Sequence, residues 1–462
     1  MTVTDSVTSS VEQRPQGAQA KGGPREDVPN AQPVPWRFAF LAAQLAVLLF
    51  VIEGLNLNRG VLSVPLPLCV VAFLGFAVHY WTPFRHKKTV FVLLSFVGVF
   101  AAFGPDDWLT VGSRDFWVQM GGAASFLAAT VVVGLFFYGC LRLPVPFGVR
   151  VAVVVAGGCG LAYGRANDLW LSGGEWAILG AIFMFRMIIY AAAVKASRQP
   201  ETLTDFMCYF FLLPNLFFPL FPVIDYTTFK RRYYAYNIHE SAQKGILWMV
   251  RGVTHMCIFR ILYQREVASD QVQNVFTLIL FVFQMYLQYL RVSGLFHFIA
   301  GMLHLFGWNL PETNSKFLLA SSFTDFWRRM NIYWKDFMVN SFYYPVFFRL
   351  RKINERLALI VATVVVFAAT TVLHGYQMFW IKGSFAIYAR DYAFWGAFGA
   401  LVLITVLYET RGGKPKKRSK PVALLIRVAK TLGVYITISV LWSIWSVPLA
   451  EWWDTVTYVF ER

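Results

Sequence analysis

The sequence predicts an all-α protein that threads a membrane many times, and three observations predict it. Hydrophobic residues fill 57% of the 462 positions and charged residues only 15%, where a soluble protein carries about 25% charged residues. Mean hydropathy is +0.52. Apolar stretches near membrane-spanning length recur from Trp36 onward, and a spanning helix needs about 20 residues. None of them alternates with the period of an outer-membrane strand. Backbone groups in hydrocarbon must be satisfied within their own segment, which leaves helices. The same composition excludes a soluble enzyme and a disordered scaffold.

Residues 1–35 stand apart, being rich in Gln, Gly, Pro, Ser and Thr without apolar periodicity. They predict a disordered cytoplasmic tail. The first apolar run lacks a small-residue cleavage site, so no signal peptide is expected. Residues 36–462 then form one multi-span domain. About 11 spans are predicted, near 37–54, 61–81, 89–104, 116–139, 149–164, 176–195, 245–263, 274–292, 357–378, 391–408 and 422–446. Between 205 and 240, Pro214, Pro219 and Pro222 interrupt an aromatic run. Prolines at that density break a regular helix, and a re-entrant segment is expected. Residues 309–356 mix aromatics with Asp325, Arg328, Arg329, Lys335, Asp336, Arg349, Arg351 and Lys352, a pattern expected of amphipathic helices on or dipping into the membrane surface. No internal repeat is visible, which argues against a transporter built from inverted halves.

Lysine and arginine number 42 against 25 acidic residues, a net charge of +17. Membrane topology accounts for this excess, and no nucleic-acid partner is expected, because no basic-aromatic module stands outside the apolar segments. Basic loops carry Arg85, Lys87 and Lys88, then Arg142 and Arg150, then Lys195 and Arg198. Acidic loops carry Asp106, Asp107 and Asp115, then Asp168 and Glu175. The alternation predicts a cytoplasmic N-terminus. The basic run from Arg411 to Lys420 falls on the cytoplasmic side by the same count, and the C-terminus with Glu451 and Asp454 falls outside. The five cysteines are scattered without a CxxC pair, so neither a disulfide framework nor a zinc site is indicated.

Candidate chemistry lies in polar residues within apolar surroundings. None of the seven histidines belongs to an HxxxxD or HExxH pattern, and GxSxG and Walker A sequences are absent. His374 lies near the end of a long apolar span, in Thr370-Thr371-Val372-Leu373-His374-Gly375. An ionisable group at that depth is a functional-site hypothesis, and a neutral imidazole can take a proton from a hydroxyl. The bland alternative is a helix-end histidine bonded to a backbone carbonyl. His297 and His304 are seven residues apart and share a helix face. They lack further ligands at metal-binding spacing, so packing or pore lining is expected of them and no metal site is predicted. His239 reads as interfacial, and His255 stays ambiguous. In Phe326-Trp327-Arg328-Arg329-Met330-Asn331-Ile332-Tyr333-Trp334, two adjacent arginines could hold a phosphate or carboxylate, or could anchor the chain at the interface.

Three stretches together resemble the membrane-bound O-acyltransferase family, nearest to its bacterial alginate O-acetyltransferase and D-alanyl-lipoteichoate transfer branch. Phe221-Pro222-Val223-Ile224-Asp225-Tyr226-Thr227-Thr228-Phe229 resembles the branch's GPIxRYxxF element. Gly294 to Gly307, then Pro311-Glu312, then Phe323 to Arg329, resemble its long block ending in PENF and FWRRWH. Leu373-His374-Gly375 resembles the family's histidine-glycine pair, 43 positions after Asn331. The likeness covers residues 200–380. Asn331 stands where this branch has histidine, Phe221 where it has glycine, and Leu295, Phe296 and His297 where it has tyrosine, serine and a polar residue.

The resemblance implies a ring of tilted helices around a central channel in a bacterial cytoplasmic membrane. It implies transfer of an acyl group, acetyl in the first instance, from a cytoplasmic thioester to a hydroxyl of a secreted or cell-surface glycan. No cofactor is permanently bound; acetyl-CoA, another acyl-CoA or an acyl-carrier protein is the donor. His374 would deprotonate the hydroxyl and Asn331 would orient it or donate to the oxyanion. Arg328 and Arg329 would bind the donor's phosphates or acidic carrier, and Trp327 and Trp334 would wall the passage. Short outer loops suggest an extracytoplasmic acyltransferase partner that receives the group. The alternatives are direct acylation of a lipid or small-molecule hydroxyl and, from another class, a transporter or channel.

Overall fold

A computed structural model of the chain describes residues 32–57, 64–105, 108, 110–197, 201–219, 223–263, 267–410 and 419–461. The expected tail over 1–31, Asp106, Asp107, Arg198, Phe221, Pro222 and the basic run from Arg411 to Arg418 lie outside these residues. The protein is all-α and polytopic. Its helices in chain order are α1 Pro35–Gly54, α2 Leu66–Trp81, α3 Lys87–Phe103, α4 Arg114–Cys140, α5 Phe147–Ala166, α6 Gly173–Ala196, α7 Leu203–Phe210, α8 Tyr226–Arg231 and α9 Ile238–Tyr263. They continue with α10 Val275–Leu287, α11 Tyr289–Leu305, α12 Phe323–Arg329, α13 Ile332–Met338, α14 Tyr344–Leu350, α15 Glu355–Lys382, α16 Ala389–Glu409, α17 Lys420–Ser446 and α18 Leu449–Phe460. Among the described residues, ten helical stretches are long and apolar enough to cross a membrane, with α10 and α11 forming one of them; α2, of 16 residues, is shorter.

Local sequence sets the helix ends. Ser172 and Glu175 form a capping box at the start of α6, and Asn354 accepts from the Leu357 N–H at the start of α15. Helix α15 stops at Gly383, whose φ of +81° closes the last turn. Buried Arg165 of α5 donates to the carbonyls of Trp380 and Ile381 and to Asp168, placing a cation on the carbonyl-rich end of α15.

Helix α6 is the central column, with residues 176–187 all buried. It runs antiparallel to α15, since Trp176 meets Trp380 and Phe185 meets Tyr376. The second enclosed column is α11, buried from 293 through 310. The sequence reading ends a span at 292 and leaves this helix out, because Arg291, His297 and His304 lower its hydropathy. Protein surrounds it instead of lipid. It crosses α9 at backbone contact twice: a Cβ on Gly301 would lie 2.5 Å from the Gly245 carbonyl oxygen, and one on Gly252 would lie 2.5 Å from that of Gly294. Small residues seven apart on both helices permit this approach.

The proline-rich segment folds inward as expected, with Phe210 through Leu216 buried. The segment 309–356 carries the short helices α12, α13 and α14. Helices α12 and α13 turn aromatic side chains into the protein: Phe326 packs on Phe398, and Trp334 on Phe185. Aromatic partners on α6 and α16 offer these rings more burial than a headgroup layer does.

The α9–α11 crossing yields a stability prediction. Gly301→Ala is expected to destabilise the protein by about 1–3 kcal/mol, read as a lower thermal midpoint in detergent. Gly433→Ala on α17, where a Cβ meets nothing within 4 Å, is expected to be neutral or slightly stabilising.

Candidate functional site

His374 lies on α15 with Nδ1 2.9 Å from the carbonyl oxygen of Thr370. A carbonyl only accepts, so Nδ1 carries the hydrogen, and in the neutral ring Nε2 is left with its lone pair. The bland histidine reading, a ring bonded to a helix carbonyl, is therefore half of the geometry; the other nitrogen is left for a second partner. Three tryptophans surround the ring, with centroids at 4.7 Å for Trp395, 5.4 Å for Trp334 and 6.3 Å for Trp445. Trp445 is fixed by its indole N–H, which donates to Asp391 at 2.7 Å. The indole N–H groups of Trp334 and Trp395 are buried and meet no acceptor among the described residues. Both belong to rings that pack on His374.

Asn331 reaches this chamber through Trp334. Its backbone is left-handed, with φ 41° and ψ 60°, and its Oδ1 accepts from the Trp334 N–H at 3.4 Å, capping α13. Asparagine is among the few residues that adopt this conformation readily. Three hydrogen bonds fix the turn from the side. Ser315 N–H donates to the Arg329 carbonyl at 2.9 Å, Asn331 N–H to Asn314 Oδ1 at 2.8 Å, and Ile332 N–H to the Thr313 carbonyl at 2.8 Å. Oδ1 is thus engaged as a helix cap, while the amide Nδ2, the group that would donate to an oxyanion, takes no part in it.

The remaining sequence candidates separate. Trp327 packs on Phe367 and Phe398, two helical turns along α15 from His374. Arg329 is half-buried and paired with Asp325, one turn back on α12, at 2.6 Å. The same carboxylate also accepts from the Ser321 N–H just ahead of α12. Arg328 is exposed.

A cavity of about 540 Å³ lies between the end of α6, the start of α8, α13 and the π-helical turn Val339–Tyr343. Ile188, Ala192 and Ile224 give it an apolar wall, and Thr228, Asp336, Asn340 and Ser341 give it polar groups; Arg328 and Arg329 are not among its lining. Phe337 is one of its lining residues, and the Phe337 ring packs 5.6 Å from Trp334, which in turn packs 5.4 Å from His374. Helix α8 is held in place beside it by charge. Lys230 pairs with Glu201 at 2.7 Å, Lys88 pairs with Asp205 at 2.6 Å, and Tyr226 donates to Glu201 at 2.6 Å. Burial pushes the Asp205 carboxyl up, but Lys88 and Lys230 overcome this and hold it below the ordinary carboxylate range.

His297 and His304 are buried. His297 Nδ1 bonds to the Ser293 carbonyl at 2.7 Å and His304 Nε2 to the Leu310 carbonyl at 3.0 Å, with Trp248 against both rings. Among the described residues no group of His, Cys, Asp and Glu side chains converges as metal ligands would. Trp395, Trp445 and Asp391 are absent from the sequence candidates, whereas Ile224, Asp225, Thr227, Thr228 and Pro311 of the cavity lining fall in the stretches that carry the resemblance. The sequence signal of the two tryptophans is a tryptophan-bearing stretch late in the chain, which reads equally well as interfacial anchoring. No protein-family model and no curated protein matches this chain.

Proposed function

We propose that the protein is a membrane O-acyltransferase, of the kind its motifs resemble, carrying an acyl group from a cytoplasmic thioester to a hydroxyl of a secreted or cell-surface glycan or of a partner that serves one. The observation that carries the reading is His374, with Nδ1 fixed on the Thr370 carbonyl, joined through the Trp334 ring to Phe337, which lines the cavity. Acyl transfer asks for a base where the hydroxyl and the thioester meet, and for a donor route that water does not follow. In this reading the donor arm enters the cavity, whose apolar wall and few amide and hydroxyl groups suit a chain with spaced amides. Rotation of Phe337 or Trp334 admits its thioester to His374.

The chemistry then balances simply. His374 Nε2 takes the hydroxyl proton as the oxygen attacks the thioester carbonyl. The Trp334 and Trp395 indole N–H groups stabilise the developing oxyanion. The C–S bond breaks, and the imidazolium returns the proton to the departing thiolate. Asn331 acts by holding Trp334. Arg328, exposed and outside the Asp325 pair, is the arginine suited to a donor phosphate or acidic carrier.

Four outcomes test this. His374→Gln is expected to lower transfer from a thioester in nanodiscs by about 10²–10⁴-fold without changing yield or thermal midpoint; near-normal turnover would remove the base. Asn331→Gly, which keeps the left-handed backbone, is expected to retain more activity and stability than Asn331→Ala, with both variants above His374→Gln; rates and melting curves together read this. Arg328→Ala is expected to raise the donor concentration for half-maximal rate about tenfold, a charge-assisted contact being worth roughly 1.5–3 kcal/mol. Arg329→Ala is expected to lower the melting midpoint, with donor dependence little changed.

A further inference from the structure

We infer that Asn314 is a positioning residue of this reaction, holding Asn331 in its left-handed turn and, through it, Trp334 against His374; the inference rests on the acyl-transfer reading. Residues 313–315 run beside residues 329–332, and of the three hydrogen bonds between them only one uses a side chain, Asn331 N–H to Asn314 Oδ1 at 2.8 Å. The same oxygen accepts from the Tyr289 hydroxyl at 2.8 Å. Asn314 is fully buried, so both donors depend on it and water cannot replace it cheaply. A left-handed non-glycine residue persists where its surroundings over-determine it, and here the surroundings are this strap. The line of contacts runs from Tyr289 on α11 through Asn314 and Asn331 to the Trp334 N–H, and from the Trp334 ring to His374 at 5.4 Å. The strap also shapes the cavity, since Pro311 lines it and its carbonyl accepts from the Tyr333 hydroxyl at 2.6 Å.

A purely structural asparagine and a positioning one differ in what they change. Asn314→Ala, Asn314→Asp and Tyr289→Phe are compared in full-length protein in nanodiscs, with acetyl-CoA varied and ester product measured. Asn314→Ala is expected to lower kcat roughly tenfold or more, as a displaced reacting group does, while KM for the donor moves less than about twofold. Asn314→Asp keeps the acceptor oxygen and is expected to stay within about threefold of wild type. Tyr289→Phe keeps the Asn331 N–H bond to Asn314 Oδ1 but removes a hydroxyl that also faces the Asn331 backbone, and is expected to lose less than Asn314→Ala. In an Asn331→Gly background, Asn314→Ala is expected to add less than about twofold, because coupled residues are not additive. An unchanged kcat in Asn314→Ala, an equal loss in both backgrounds, or a Tyr289→Phe loss as large as that of Asn314→Ala would overturn the inference while leaving acyl transfer standing. If Asn314→Ala does not accumulate, an Asn314→Asp rate below a tenth of wild type overturns it. A wild-type protein that forms no ester from any thioester donor overturns the acyl-transfer reading and this inference with it.

Discussion

The Thr370 carbonyl sits one turn before His374 on α15 and accepts from its ring. That hydrogen bond fixes the tautomer and the ring plane at once, and it costs the helix nothing, since a carbonyl has a second lone pair. Everything placed around His374 depends on which nitrogen is left over. Had the ring been free to turn, three tryptophans around it would be packing alone. With Nδ1 engaged, they become the walls of a chamber that presents one basic nitrogen.

The chamber has to be held by elements far apart in sequence. Trp334 comes from the short helix α13, Trp395 from α16 and Trp445 from α17. Short helices contribute little stability of their own, so α13 is located by its neighbours: the left-handed turn at Asn331, the strap at 313–315 and the Phe185 ring of α6. The strap in turn follows α11, which glycine contacts press directly against α9. Rigidity thus passes from the most closely packed helix pair to the residue that leans on His374. Phe337, whose ring packs on Trp334, also lines the cavity.

The all-α, multi-span character was legible because hydropathy over about 20 residues reports directly on lipid. His374 was legible as a polar residue inside an apolar run. Helix α11 was not read as a separate column, because a helix enclosed by protein tolerates Arg291, His297 and His304, and hydropathy cannot distinguish enclosure from exposure. Arg328 and Arg329 look equivalent in sequence, yet Asp325 four residues earlier takes only Arg329. The cavity draws on α6, α8, the strap, α13 and the π turn, and no single stretch of sequence carries its shape. Trp395 and Trp445 share their sequence appearance with interfacial anchors, and only the packing of α16 and α17 on α15 brings them to His374.

Transfer of an acyl group from a thioester to a hydroxyl at this centre, as proposed, is tested most directly with purified protein in sealed liposomes, acetyl-CoA supplied on one side and a hydroxyl acceptor on the other. Released thiol and formed ester are counted together. One ester across the membrane is expected for each thiol released, with neither formed when acetyl-CoA is on the acceptor's side only. Thiol release without ester, ester formation indifferent to the side of the donor, or passage of intact acetyl-CoA through the bilayer would exclude it.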